Sequence, residues 1–377
     1  MKDKIQKISE ELIGIRRQIH KNPELGFEEH QTAALIAEYL KALGIEVQTG
    51  VAQTGVVGLV RGAKDGKTLL IRADIDALPM QEANSFDYAS QNGRRMHACG
   101  HDVHTAMALG VANVLSGMKN ELTGNVKIVF QPAEEALGGA LPMIEQGVME
   151  NPPVDGAAAF HVWNLPAGTV GVKNGGVTAS PDHFGIEITG KGGHGAMPED
   201  CVNPLEIAAR IITRLHEVKT EQPGFVTICS VSGGTGENII PDSVTIRGTA
   251  RALDEATRQY LYNSVAEISD SEAKRLGGSA VVNYRFLYPP AINDERMVSL
   301  FCEAANEVIG AENIIKQDKA DMIGDDFAYF AERVPSCYIK LGGALAPLHT
   351  ANFDFDERCV STGVELMSRF ALKFLEG

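Results

Sequence analysis

The stretch Met96–Met107, MHACGHDVHTAM, packs three histidines, one cysteine and one aspartate into a short segment. Cys99 and His101 stand two residues apart in a glycine-containing turn, so a thiolate and an imidazole can face one ion. Metal-dependent hydrolysis needs several converging ligands, an open position for water and a base for that water. Three more segments carry suitable groups: Glu134 and Glu135 in VFQPAEE, His161 in AFHVW and His349 in APLHTANFDFDE. Neighbouring carboxylates point in different directions, so one can bind metal while the other acts as general base. Each residue alone has a plainer reading: a satisfied polar group at a strand end, a solvated helix start, a small buried thiol. Together they read as a metal site. Asp102 and His104 read as supports, and His97 has no assigned role.

The elements explain how such residues can meet. Ile5, Ile8, Leu12, Ile15 and Ile19 recur at helical spacing and stop at Asn22-Pro23, and a second helix covers 28–43. Strand patterns at 56–60, 68–74, 125–130 and 156–162 alternate with helical patterns at 103–118 and 139–147. This implies a buried, largely parallel α/β sheet. From Ser180-Pro181 the order becomes strand 183–190, helix 203–218, strands 225–232 and 243–251, helix 254–276, strand 279–287. That is the β-α-β-β-α-β ferredoxin-like order. After YPPAIND come helices 294–309 and 325–333, strand 336–343 and helix 356–375. The expectation is one α/β domain, 1–179 and 291–377, interrupted by an inserted α+β domain, 180–290. Asp74, Glu134, Glu135, His161 and His349 all end or follow strands. Open α/β sheets bind ligands outside the carboxyl ends of their strands, so these groups gather at one edge. An acid such as Asp74 on a neighbouring strand end can hold a ligating imidazole by its free N–H.

Composition removes some functions. The 377 residues are 44% hydrophobic and 22% charged, ordinary for a globular protein. A net charge of −15 argues against nucleic acid, which needs a basic surface. No apolar run reaches spanning length, so no membrane partner is expected and the chain reads as cytoplasmic. The six cysteines lack framework spacing and read as reduced. Two rival readings stay open: a thiol hydrolase with Cys99 as nucleophile, and a metal-binding protein without catalysis. Chelator sensitivity separates the first from a metal hydrolase.

The segments RADIDALPM, MHACGHDVHTAM, FQPAEEALGGA, GKGGHGAMPED, NIIPDSV and LHTANFDFDE resemble the co-catalytic metal aminoacylase/carboxypeptidase family. With RRQIHKNPELGFEEHQTA they match its branch of hippurate hydrolases, N-acyl-amino-acid amidohydrolases and plant auxin-conjugate hydrolases, end to end. The resemblance implies a zinc-exopeptidase-like domain with an inserted dimerisation and lid domain. It implies two divalent ions per subunit, zinc or manganese, with cobalt or nickel as alternatives. Cys99, His101, Glu135, His161 and His349 would be the ligands, Glu134 the general base and Asp74 the acid beside the metals. His194, by itself an exposed histidine in a glycine-rich hairpin, would reach a partner subunit's site in a homodimer and steady the oxyanion. Asn238 would bind substrate. Arg251 can clamp a substrate carboxylate through its forked donors. The implied reaction is hydrolysis of the amide bond of a small N-acyl amino acid, acetyl, benzoyl or similar. Dipeptidase, carboxypeptidase and N-acetyl-diaminopimelate deacetylase activities remain alternatives. Arg72 stands where the wider family has a metal-binding histidine. IGDDFAYF, Ile323–Phe330, and Ala351 also depart from the usual pattern.

Overall fold

The computed structural model describes residues 1–136 and 138–377. In chain order the elements are helices α1 (Lys2–Lys21) and α2 (His30–Ala42), then strands β1 (Glu46–Val51), β2 (Gly55–Arg61) and β3 (Lys64–Asp74). Helix α3 (His101–Ser116), β4 (Thr123–Gln131), α4 (Ala140–Glu145) and β5 (Gly156–Trp163) follow, then β6 (Val170–Val172), β7 (Gly175–Thr178) and β8 (Ser180–Thr189). Next come β9 (Gly193–His194), α5 (Pro204–His216), β10 (Gly224–Ser232), β11 (Ile239–Ile240), β12 (Ser243–Ala252), α6 (Glu255–Arg275) and β13 (Ser279–Arg285). The chain closes with β14 (Ala291–Asn293), α7 (Glu295–Ile309), β15 (Ile314–Lys316), α8 (Ala328–Ala331), β16 (Ser336–Gly342) and α9 (Arg358–Glu376). No helix among the described residues is long and apolar enough to cross a membrane.

Chain contacts form two compact units. One contains Met1–Gly175, Ile292–Lys319 and Tyr329–Gly377, and the other Gly176–Ala291 and Ala320–Ala328. The expected division placed all of 291–377 in the first, whereas 320–328 packs with the second: the Ala179 N–H donates to Ile323 O at 2.7 Å.

In the first unit eight strands run in the order β1-β2-β4-β3-β5-β16-β6-β15. The four central strands, β4-β3-β5-β16, are parallel neighbours. β5 is buried along nearly its whole length, as a strand covered on both faces must be. Register does the positioning. Asp74 lies opposite Gln131 and His161 opposite Lys340, so Asp74, Pro132-Ala133-Glu134-Glu135, His161 and the segment after Gly342 leave the sheet at one end. The edge strand β1 escaped the hydropathy pattern because most of its side chains are exposed. The helix expected at 325–333 shortens to α8, with turns before and after it.

A buried charge network ties α1 to α3. Arg16, fully buried, donates Nε to Asp102 Oδ2 at 2.7 Å, Nη2 to Asp354 at 3.0 Å and Nη1 to Glu357 at 3.1 Å. His20, one turn on, meets Asp102 Oδ2 at 2.8 Å and Glu82 Oε1 at 3.2 Å.

In the second unit β8, α5, β10, β12, α6 and β13 follow the β-α-β-β-α-β order. The four strands form an antiparallel sheet, β10-β12-β8-β13. Ile186, Ile188, Ile207, Ile211, Ile246 and Val265 fill the core between one sheet face and the two helices. Asn203 and Asp254 cap α5 and α6 by accepting the N–H of Leu205 and Thr257. Buried Asp182 accepts both arms of Arg258, at 2.7 and 2.8 Å, and the Leu287 N–H at 2.9 Å. This locks α6 to β8 and to the end of β13.

Two stability predictions follow from these buried charges. Asp182→Ala takes the bidentate partner from Arg258, leaving it Leu287 O and the exposed Glu255, and should cost about 3 kcal/mol, read as an earlier urea transition; an unchanged midpoint would remove the pair from the structural account. Burial opposes charge on His20, but Asp102 and Glu82 outweigh it and raise the imidazole to about 9. Against about 6.5 in the unfolded chain, this contribution is complete below about pH 6.5 and is lost as pH rises through about 9. It amounts to about 3 kcal/mol. Thermal unfolding should weaken across that window, and His20→Gln should abolish the slope; parallel curves for the two proteins would refute it.

Candidate metal centre

Gly100 makes the turn that presents the first two candidate ligands. Its φ is 81°, a left-handed conformation free of strain only for glycine. A Cβ there would meet Val162 Cγ2 at 2.3 Å. Helix α3 begins directly afterwards, so Cys99 lies just outside it and His101 is its first residue. His349, at φ 59°, donates its backbone N–H to Ala98 O at 2.8 Å, which stitches the segment after β16 to the Cys99 turn. Ala133, at φ 56°, donates its N–H to Glu29 Oε1 at 2.9 Å and so anchors the backbone before Glu134. Such non-glycine conformations cost on the order of 1 kcal/mol each and persist where surrounding contacts hold them.

These segments converge. Donor atoms of Cys99, His101 and His161 lie within 4.8 Å of one another, as do those of Cys99, Glu135 and His349, and those of His101, Glu134 and Glu135. Cys99 Sγ is 3.4 Å from His161 Nε2, and His349 Nε2 is 2.9 Å from Glu135 Oε1. Second partners orient the imidazoles. His161 Nδ1 donates to Val162 O at 2.8 Å, and His101 Nδ1 lies 3.2 Å from Asp76 Oδ1. Both rings therefore present Nε2 inward. His101 Nε2 is buried without a hydrogen-bond partner among the described residues.

The electrostatics call for a cation. Burial opposes a charge on His101, yet Asp74 and Asp76 push it up to about 10. Burial raises the Cys99 thiol well above its ordinary value, reinforced by Glu135 and Glu134. Burial holds His161 well below the usual imidazole range. A protonated thiol facing a neutral imidazole is the opposite of the thiolate–imidazolium pair that nucleophilic cysteines use, so the geometry does not favour a Cys99 nucleophile. A divalent ion would neutralise the acids, draw the proton from the thiol and satisfy His101 Nε2. Thiolate, imidazole and carboxylate donors fit zinc and other first-row ions.

His104 is a support, as its helical position implied. Its Nδ1 meets Asp74 Oδ1 at 2.5 Å and its Nε2 accepts the Val162 N–H at 2.9 Å, leaving no lone pair for metal. Asp74 also pairs with Arg72 and lies 3.7 Å from His101 Nε2. The acid that takes the N–H of His101 is Asp76, which the sequence reading passed over. Asp76 also accepts the Glu135 N–H at 3.0 Å. Its signal was the second acid of RADID, two residues beyond Asp74. His97 is buried with neither ring nitrogen partnered among the described residues. The remaining candidates belong to the second unit. His194 is exposed on β9, opposite Ile239 of β11, and Gly195 N–H donates to Asn238 O at 2.8 Å. Arg251 lies on β12.

The description of the peptidase family M20/M25/M40 matches residues 70–373. A thermostable carboxypeptidase 2 of Saccharolobus solfataricus is 36% identical over 99% of this chain and 98% of its own. A hippurate hydrolase of Campylobacter jejuni is 35% identical over 96% of each. The crystal structure of a Bacillus subtilis dinuclear metal-binding peptidase of the M20 family superposes with a TM-score of 0.90 at 33% identity, covering 98% of this chain and 99% of its own. The chain thus belongs to the peptidase family M20/M25/M40 and is a metal-dependent hydrolase of amide bonds.

Proposed function

We propose that the protein removes the acyl group from a small N-acyl amino acid. The observation that carries this reading is the buried carboxylate of Glu134 within 4.8 Å of the donors of His101 and Glu135. A protein that only held metal would have no use for a base beside the ligands. The hippurate hydrolase relative supports the substrate class, since hippurate is an N-acyl glycine.

Cys99, His101, Glu135, His161 and His349 would hold two divalent ions, zinc or manganese, which polarise the scissile carbonyl and make water nucleophilic at neutral pH. The chain's other groups do the proton work. Glu134 takes the proton of the attacking water and passes it to the leaving nitrogen. Asp76 and the Val162 carbonyl keep His101 and His161 in the ligating tautomer. Asp74 holds His104 against the Val162 backbone and so steadies the end of β5. His194 of a neighbouring subunit donates to the developing oxyanion, which makes a homodimer the working form. Asn238 contacts the substrate, and Arg251 engages its free carboxylate.

Two outcomes are expected. Glu134→Gln should lower kcat on benzoyl- and acetyl-amino acids by about a hundredfold or more at unchanged metal content; near-normal turnover would remove the base. Dipeptides assayed alongside would reveal carboxypeptidase activity. His194→Ala and Glu134→Gln proteins, each inactive alone, should regain about a quarter of wild-type activity when mixed as random heterodimers. No recovery after verified subunit exchange would refute action across the dimer.

A further inference from the structure

The motif RRQIHKNPELGFEEHQTA has two halves. Arg16 and His20, in the first, fasten Asp102 behind the Cys99 turn. The second half, Glu24–Glu29, lies against the two segments that carry the acids of the centre. Ala77, directly after Asp76, donates its N–H to Glu24 O at 2.8 Å and pairs with Leu25 in a parallel bridge. Gly26 lies flat on the turn after β4, where a Cβ would meet Ala133 Cα at 2.9 Å and Ala136 Cβ at 3.0 Å. The Glu24 side chain fixes this half to the start of α2 by accepting the N–H of Gln31 at 3.0 Å and of Thr32 at 2.9 Å.

Glu29 makes the contact nearest the chemistry. Its carboxylate is fully buried. One oxygen accepts the Ala133 N–H at 2.9 Å and the other the Thr54 hydroxyl at 2.5 Å. A buried carboxylate is tolerable only where its oxygens are used in this way. The β4 ladder ends at Gln131, so the strand does not hold Ala133. Its φ of 56° is one that an alanine leaves when nothing holds it. On the far side of Glu134, the Glu135 N–H is held by Asp76 at 3.0 Å. Glu134 thus stands between two pinned amides, and the Glu24–Glu29 segment grips the chain behind both pins.

We propose that Glu29 is a positioning residue: it holds Ala133 in the left-handed conformation and so fixes where Glu134 stands beside the candidate ligands. The kinetic consequence rests on Glu134 being the base. Glu29→Ala should lower kcat by about tenfold or more, the scale of a displaced catalytic group. KM and metal content should stay near wild type, because Glu135 keeps its own pin. Glu29→Gln should retain most of the activity, since its amide can accept from Ala133 and donate to Thr54. Adding Ala133→Gly to Glu29→Ala should restore most of the lost rate, because glycine takes a positive φ without strain. In the Glu134→Gln background, Glu29→Ala should change kcat little further. An unchanged kcat in Glu29→Ala, a loss carried by KM, or no recovery with Ala133→Gly overturns the proposal. Should Glu29→Ala not fold, Thr54→Val decides: it frees one carboxylate oxygen and should lower kcat about threefold, the scale of one hydrogen bond, and an unchanged kcat overturns the proposal. If Glu134→Gln turns over normally, it is the base reading that fails, and amide exchange in the metal-free protein decides the pin. The Ala133 N–H should exchange about tenfold faster or more in the folded Glu29 or Thr54 variant than in wild type at equal global stability; equal exchange overturns it.

Discussion

The first unit depends on the burial of one guanidinium. Arg16 has no exposed surface, and its donors go to Asp102, Asp354 and Glu357. A charge so placed is tolerable only when every donor finds an anion. The three partners come from the first turn of α3 and from the chain just past His349. The constraint on Arg16 therefore becomes a constraint on the ligands: α1 cannot dock unless the turn carrying Cys99 and His101 and the loop carrying His349 are both in place. His20 adds a second fastening on Asp102. Metal geometry tolerates little displacement, and these contacts hold the candidate ligands from behind.

The centre itself is built the other way, with acids in excess. Asp74, Asp76, Glu134 and Glu135 act on two imidazoles and a thiol that burial would keep neutral. Arg72 answers part of that charge by pairing with Asp74. This pairing gives a physical reason for an arginine at a position where the wider family places a metal-binding histidine: the cation fastens the acid rather than binding metal. The charge balance that remains is the one divalent ions complete. Asp74 and Asp76 are oriented by His104, His101 and the Glu135 N–H before any ion arrives, which is what preorganisation means in electrostatic terms.

The second unit shows the same division between a locked interior and an unspent surface. Asp182 satisfies Arg258 and the Leu287 N–H in the interior, while Arg247 and Arg251 stand on the other face without a hydrogen bond or ion pair among the described residues. Both situations place guanidinium groups on one small sheet. The difference is that one is already neutralised by the fold, and the other is available to a ligand.

Much of this was readable before any coordinates. Strand ends carrying Glu134, Glu135 and His161, a Cys-x-His turn opening a helix and a β-α-β-β-α-β order are local patterns, and local patterns survive in a linear string. The edge strand β1 left no trace because an exposed strand has no hydrophobic alternation to show. The role of Asp76 was hidden because, between two acids spaced by two residues, only the approach of His101 decides which one accepts its N–H. Nothing in the helical spacing of residues 5–19 marks Arg16, since its partners lie more than 80 positions away in the chain. The sequence by itself determined the buried core elements, the types of the candidate ligands and the edge of the sheet at which they emerge, because spacing and strand direction are properties of short segments. Only the tertiary structure decided the tautomers, the orphaned Nε2 of His101 and which arginines are spent, because these depend on distances between segments that no spacing along the chain encodes.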